Sequence, residues 1–279
     1  MLILKSNKKM KVFTVSISLA SALLLTSCGS SSEKAAETMD HSHSAAIPKT
    51  GTGEAAPGGG TYLNEPIPAD VLNLPLVDQN GKTFTLESLK GQTLVITNFL
   101  TSCQEICPMT SANMRDVGDA IASAKASEKI KVLEITVDAK RDVPSRLLAY
   151  QNLFATKNWD LAGGTEAGLA KLWDYFGAPA TIEEFSKADA EASPRDWQTG
   201  KPVSYDMMHA DLVIIVDEKS TWRWLDLGAP NVGTSTIPAK LKSYLSPGGL
   251  KNLEKPEGSS WKVDAIYSAL MDITGIHIH

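Results

Sequence analysis

Between residues 63 and 248 the apolar positions follow two rhythms. LVITNFL at 94–100 and KIKVLEITVD at 129–138 are short, nearly continuous apolar runs. Such runs read as strands buried on both faces. Elsewhere the apolar residues recur every three or four positions. Met114, Val117, Ala120, Ile121 and Ala124 share one face of a helix predicted over 109–124. RDVPSRLLAYQNLF at 141–154 predicts a second helix, with Pro144 in its first turn and Asp142 as its cap. TEAGLAKLWDYFG at 165–177 predicts a third, whose inner side carries Leu169, Leu172, Trp173 and Phe176. Two hairpins bracket this alternation. LPLVDQNGKTFTL turns at Asn80-Gly81 and predicts a type I′ turn, and ADLVIIVDEKSTWRWLDLG turns over 217–220. The pattern predicts an α/β fold: a central mixed sheet with helices on both faces and an extra N-terminal hairpin.

The two ends depart from that pattern. Lys5, Lys8, Lys9 and Lys11 precede the apolar run VFTVSISLASALLL, which ends in LTSC. This reads as an export signal over 1–27, since the run is shorter than the roughly 20 residues that span a bilayer. Leu25 and Ser27 before Cys28 resemble the lipobox of bacterial lipoproteins, in which the cysteine is lipidated. That resemblance implies a chain held on the extracytoplasmic face of a bacterial cell membrane through Cys28. Residues 28–62 follow, rich in Gly, Ser, Ala and Pro, and are expected to form a disordered tether with an end-to-end distance of about 30 Å. The folded domain is expected over 63–248. A C-terminal extension completes the chain at 249–279, where Val263, Ile266, Leu270 and Ile273 stand at near-helical spacing, so that tail is expected to dock.

Charge and cysteine content narrow the chemistry. Four lysines and no acid lie in 1–27, so the remainder carries a net charge of −9, and nucleic acid is not an expected partner. GGTEAG at 163–168 lacks the glycine spacing of a dinucleotide site, and no P-loop is present. Of three cysteines, Cys28 belongs to the anchor, leaving Cys103 and Cys107 as one pair in an oxidising compartment.

The pair lies in TNFLTSCQEICPMTS, between the first inner strand and its helix, with Pro108 after the second thiol. Pro108 suits the first residue of that helix, and the positive helix end is expected to lower the pKa of Cys107 and favour its thiolate. Two thiolates four residues apart suit either one metal ion or a disulfide. A dithiol in this position is the thioredoxin-like arrangement. Of His41, His43, His209, His277 and His279, only His209 falls within the domain, just before an inner strand whose leading turn faces the dithiol in such folds. Two thiolates and an imidazole form a soft, three-coordinate set that suits Cu(I) and tolerates Cu(II), whereas structural zinc would ask for a fourth ligand.

These residues resemble the SCO/SenC family, thioredoxin-like copper proteins of cytochrome c oxidase assembly. The likeness rests on LVDQNGKTFTLESLKGQ, FLTSCQEICP, ITVDAKRDVPSRLLAY, LAGGTEAGLAKLWDYFG and His209 before the last hairpin. It implies copper as cargo, with Cys103, Cys107 and His209 as its ligands and Asp138 as an acidic residue near them. It also implies the CuA subunit of the oxidase as partner, with other copper chaperones or thiol reductants alongside. The chain departs from the family in Gln104-Glu105 and in Met207-Met208-His209-Ala210, which bears on partner specificity. On this reading the protein is a carrier rather than an enzyme. The alternative is a thiol-disulfide oxidoreductase using Cys103 and Cys107 as its redox pair, for which His209 would be dispensable. A peroxiredoxin fits less well, because Thr101 precedes Cys103 by two residues rather than three. Met39, His41 and His43 in the tether, with His277 and His279 at the C-terminus, form two His-x-His segments that could capture further copper.

Overall fold

The computed structural model describes residues 53–186, 195–256, 258 and 260–279. In chain order the strands are β1 (Glu54–Ala55), β2 (Thr61–Pro66), β3 (Leu76–Asp78), β4 (Thr83–Phe84), β5 (Thr93–Phe99), β6 (Ile130–Thr136), β7 (Asp160–Gly164), β8 (Thr181–Glu184), β9 (Tyr205–Met208), β10 (Leu212–Val216), β11 (Thr221–Leu227), β12 (Ala229–Pro230) and β13 (Ser260–Trp261). The helices are α1 (Ala69–Leu72), α2 (Cys107–Ser123), α3 (Pro144–Gln151), α4 (Glu166–Tyr175), α5 (Ala239–Lys242), α6 (Pro247–Glu254) and α7 (Val263–Thr274). No helix among the described residues is long and apolar enough to cross a membrane.

Nine strands form one mixed sheet in the order β1-β2-β11-β10-β5-β6-β7-β3-β4. β5, β6 and β7 run parallel, as strands joined through helices must, while β10 pairs antiparallel with β5. Every residue of β5 and of β10 is buried, so the middle of the sheet is covered on both faces. The inner order β11-β10-β5-β6 is the thioredoxin-like core that the position of the dithiol predicts. α2 packs on β6 and carries α7 on its outer side, while α4 packs against β7 and α1. In α7, Ile266 and Leu270 are fully buried, and Gly275 ends the helix at a φ of 71°. The expected docking of the C-terminal segment is therefore present.

Three local expectations change. The β3–β4 hairpin exists, with Leu76 opposite Phe84, but its turn is not type I′. Asp78 N–H reaches Lys82 O, leaving Gln79, Asn80 and Gly81 as a three-residue loop in which Gly81 alone has positive φ, 81°. The Asp78 side chain accepts from the Asn80 and Lys82 N–H groups, which favours this loop over the two-residue turn. Next, residues 54–62, expected in the tether, include β1 and the start of β2, and β2 lies within the sheet beside β11. Finally, Asp142 does not cap α3, whose N-cap is Val143 with no side-chain bond. Its buried carboxylate instead accepts from Thr101 N–H, Thr101 Oγ1 and Thr136 Oγ1.

Below α2, Glu134 of β6 is wholly buried and accepts from Ser111 Oγ at 2.8 Å, and Ser111 in turn contacts Tyr150 Oη of α3. Burial pushes the Glu134 carboxyl up to about 8, with the Ser111 hydroxyl and Trp159 indole opposing. The folded chain thus keeps a proton that the unfolded chain loses near its ordinary value of 4.5. Glu134 stabilises the fold below that value and loses this contribution as pH rises to about 8, at about 1.4 kcal/mol per pH unit. Denaturant unfolding from pH 5 to 8 should therefore show Glu134→Gln gaining on the wild type as pH rises. Parallel stability curves would mean that Glu134 is ionised in the fold.

Candidate dithiol and metal site

β5 ends inside the core at Phe99, and the chain turns through residues 100–106 before α2 begins. Cys103 is half-buried in that loop, whereas Cys107 opens α2 with 1% exposure and Pro108 directly behind it. Both thiols are free. Three backbone N–H groups, from Glu105, Ile106 and Cys107, converge on Cys103 Sγ at 3.4 Å each. Cys107 Sγ accepts one, from Leu100 N–H at 3.4 Å. The amides at the head of α2 thus act on the first sulfur, not on the second.

This overturns the expected acidity of Cys107. Burial pushes its thiol well above the usual range, with the Cys103 sulfur and the Asp211 carboxylate adding to the effect. Desolvation outweighs the helix terminus because no water reaches the sulfur to solvate an anion. Behind the loop, Asp142 holds Thr101, and Arg146 Nε donates to Thr101 Oγ1 at 2.6 Å while its Nη2 pairs with Asp196 at 2.6 Å. These buried groups fix the loop's entry from β5.

His209 stands between β9 and β10 with its side chain nearly buried. Its Nδ1 lies 3.2 Å from Asn98 Nδ2, 3.2 Å from Ala210 O and 3.8 Å from Asp211 Oδ1. Asn98 belongs to the end of β5 and also donates to Ala210 O at 2.6 Å, so the strand that leads into the thiol loop also braces the histidine. Among the described residues, however, no three Cys, His, Asp or Glu side chains converge as a metal cage. The two sulfurs are neighbours, and the imidazole is near their strand without joining them.

Asp138 is engaged elsewhere. It pairs with Arg141 and accepts from Tyr205 Oη at 2.8 Å, while the Arg141 guanidinium lies 3.8 Å over the Tyr205 ring. Asp138 thereby ties the end of β6 to β9. The acid whose charge reaches Cys107 is Asp211, which the sequence reading passed over. Its place two residues after His209 was the available signal. His277 and His279 stack at 5.4 Å with Ile278 buried between them, and they join no metal-ligating cluster among the described residues. Cys28, Met39, His41 and His43 lie outside the described residues.

The asymmetry of the two sulfurs predicts ordered alkylation. With limiting iodoacetamide under native conditions, mass mapping should find Cys103 modified at least about tenfold faster than Cys107, whose thiol is both covered and hard to ionise. Equal labelling would refute the assigned burial.

A family model described as SCO1/SenC matches residues 73–246. A Stutzerimonas stutzeri protein, provisionally named a copper-binding protein, is 34% identical over 120 residues, covering 43% of this chain and 58% of that protein. The SCO1 protein homolog of Bacillus subtilis is 28% identical over 108 residues, covering 38% and 55% respectively. The chain thus spans less than two thirds of the length of either relative. Among solved structures, Bradyrhizobium japonicum ScoI with copper bound shares 26% identity over 62% of this chain and 97% of its own, with a TM-score of 0.45.

Proposed function

The chain belongs to the SCO1/SenC family, and from that premise we propose that it carries copper on Cys103, Cys107 and His209 and delivers it to the CuA centre during cytochrome c oxidase assembly. The observation that supports this reading is the pair of free, adjacent thiols at the junction of β5 and α2. The name of the Stutzerimonas stutzeri relative agrees with it. The donors fit the ion: thiolate sulfur suits Cu(I), and an imidazole extends the set toward Cu(II). Cys107, reluctant to ionise by itself, would lose its proton to water as its sulfur binds copper, so loading should release protons. His209 enters from the β9–β10 connection, where Nδ1 faces Asn98 Nδ2 and Ala210 O and bonds one or the other according to its tautomer. The protein acts as a carrier, tethered by lipidated Cys28 on the extracytoplasmic face of the membrane.

Copper titration of the reduced protein tests the ligand set. One Cu(II) should bind with sulfur-to-copper charge-transfer absorption, and Cys103→Ser or Cys107→Ser should abolish the band. His209→Ala should weaken Cu(II) by about 10- to 100-fold and Cu(I) by less, because the softer ion is content with two sulfurs. Undiminished Cu(II) affinity in His209→Ala would remove the histidine from the set.

The anchor has its own test in membrane fractionation. Cys28→Ser should move the protein to the soluble extracytoplasmic fraction with copper stoichiometry unchanged. Retention in the membrane would show that the N-terminal apolar run stays in place.

A further inference from the structure

The segment around α6, which begins where the family match ends, grips the thiol loop at several points. Tyr244 Oη donates to Ser102 O at 2.9 Å, and Ser246 N–H donates to Gln104 O at 3.0 Å. The Ser246 hydroxyl donates to the Glu105 carboxylate while accepting Gly249 N–H at 3.0 Å, so one side chain caps α6 and holds the loop. The approach is closest at two glycines. A Cβ on Gly249 would stand 2.2 Å from Gln104 O, and one on Gly248 would stand 2.5 Å from Glu105 Oε2. At Gly249 the obstacle is backbone, so only glycine admits this packing, whereas at Gly248 it is the movable end of the Glu105 side chain.

The gripped residues, Ser102, Gln104 and Glu105, flank Cys103 on both sides, and Glu105 supplies one of the three N–H groups on its sulfur. We infer that residues 244–249 are a positioning element for Cys103, which hold the loop in its dithiol arrangement and thereby set the balance between dithiol and disulfide. Glu105, Ser246 and Gly249 are the positioning residues. Closing the disulfide joins the two sulfurs and draws Cys103 Sγ off its amides. Two electrons and two protons leave with the bond, passing to an oxidised dithiol such as cyclic dithiothreitol, which is reduced in turn. A clamp that resists the loop's movement favours the reduced pair. The inference uses only the thiols, so it stands or falls separately from copper carriage.

The test equilibrates the full-length, metal-free chain with mixtures of reduced and oxidised dithiothreitol and counts thiols by mass tagging. Ser246→Ala, Glu105→Ala and Gly249→Ala should each move the equilibrium constant about tenfold toward the disulfide, roughly 30 mV for a two-electron couple. Glu105→Gln, which still accepts from the Ser246 hydroxyl, should recover most of the wild-type value. Leu250→Ala, on the same helix at a 45% exposed position, should leave it unchanged. Should Gly249→Ala fail to fold, Ser246→Ala and Glu105→Ala decide the matter. Wild-type equilibria in both, or an equal shift in Leu250→Ala, would overturn the inference.

Discussion

Backbone N–H groups that lead into a helix have no carbonyl of their own helix to accept them, and here three of them end on the sulfur of Cys103. Much of the site follows from that contact. It requires the loop after β5 to curl back over the head of α2, which places Cys107 under the loop and removes it from solvent. It also divides the labour between two residues of identical chemistry. Cys103 is the half-exposed sulfur held by amides, and Cys107 is the covered one whose thiol is pushed up by burial.

A curl of this kind has little to hold it from within. Loop 100–106 makes few contacts between its own backbone groups, so its shape is imposed from outside. Asp142 and Arg146 hold Thr101 from the α3 side, and Tyr244 and Ser246 hold Ser102, Gln104 and Glu105 from the C-terminal side. The carboxylate of Asp142 has to be buried to do this, and burial raises its pKa while the Thr101 and Thr136 hydroxyls pull it back. A buried carboxylate with its donors in place fixes geometry more than it adds stability.

The parts of this arrangement that follow a period were legible in the sequence. β5, β6, the three inner helices and the β10–β11 hairpin rest on apolar spacing, and each stands where that spacing places it. So does the dithiol, because a strand end and a helix start locate it without any tertiary knowledge. What could not be read depends on partners distant in the chain. β2 joins the sheet through Trp222 and Trp224, some 160 residues away, and its TYLNEP carries no pattern of its own. Nothing local in PGGLKNLE reveals that Gln104 O demands a glycine there. Asp142 reads as a cap because sequence distance says nothing of Thr101, and the bond from Tyr205 to Asp138 is equally hidden. The sign of the Cys107 shift was misjudged for the same reason: the helix end is local, whereas burial is set by the whole core.

One asymmetry remains, and it concerns His209, the third side chain of the proposed ligand set. The sulfurs are fixed by the main sheet, α2 and the C-terminal clamp. His209 follows β9, which is bonded to β8 alone in a two-stranded ladder apart from the nine-stranded sheet. That small ladder presents β8 to solvent along its length, while Met207 of β9 packs against the core. Polar groups add to that attachment: Asp138 and Arg141 grip Tyr205 at the start of β9, and Asn98 braces the ring of His209 just past its end. Asp138 is thus a mooring for the strand that carries the imidazole, which gives the acid a reason to stand near the site without facing an ion. Of the three side chains in the proposed set, the two sulfurs are set by the loop and the head of α2, and the imidazole is held by Asn98 at the end of β5.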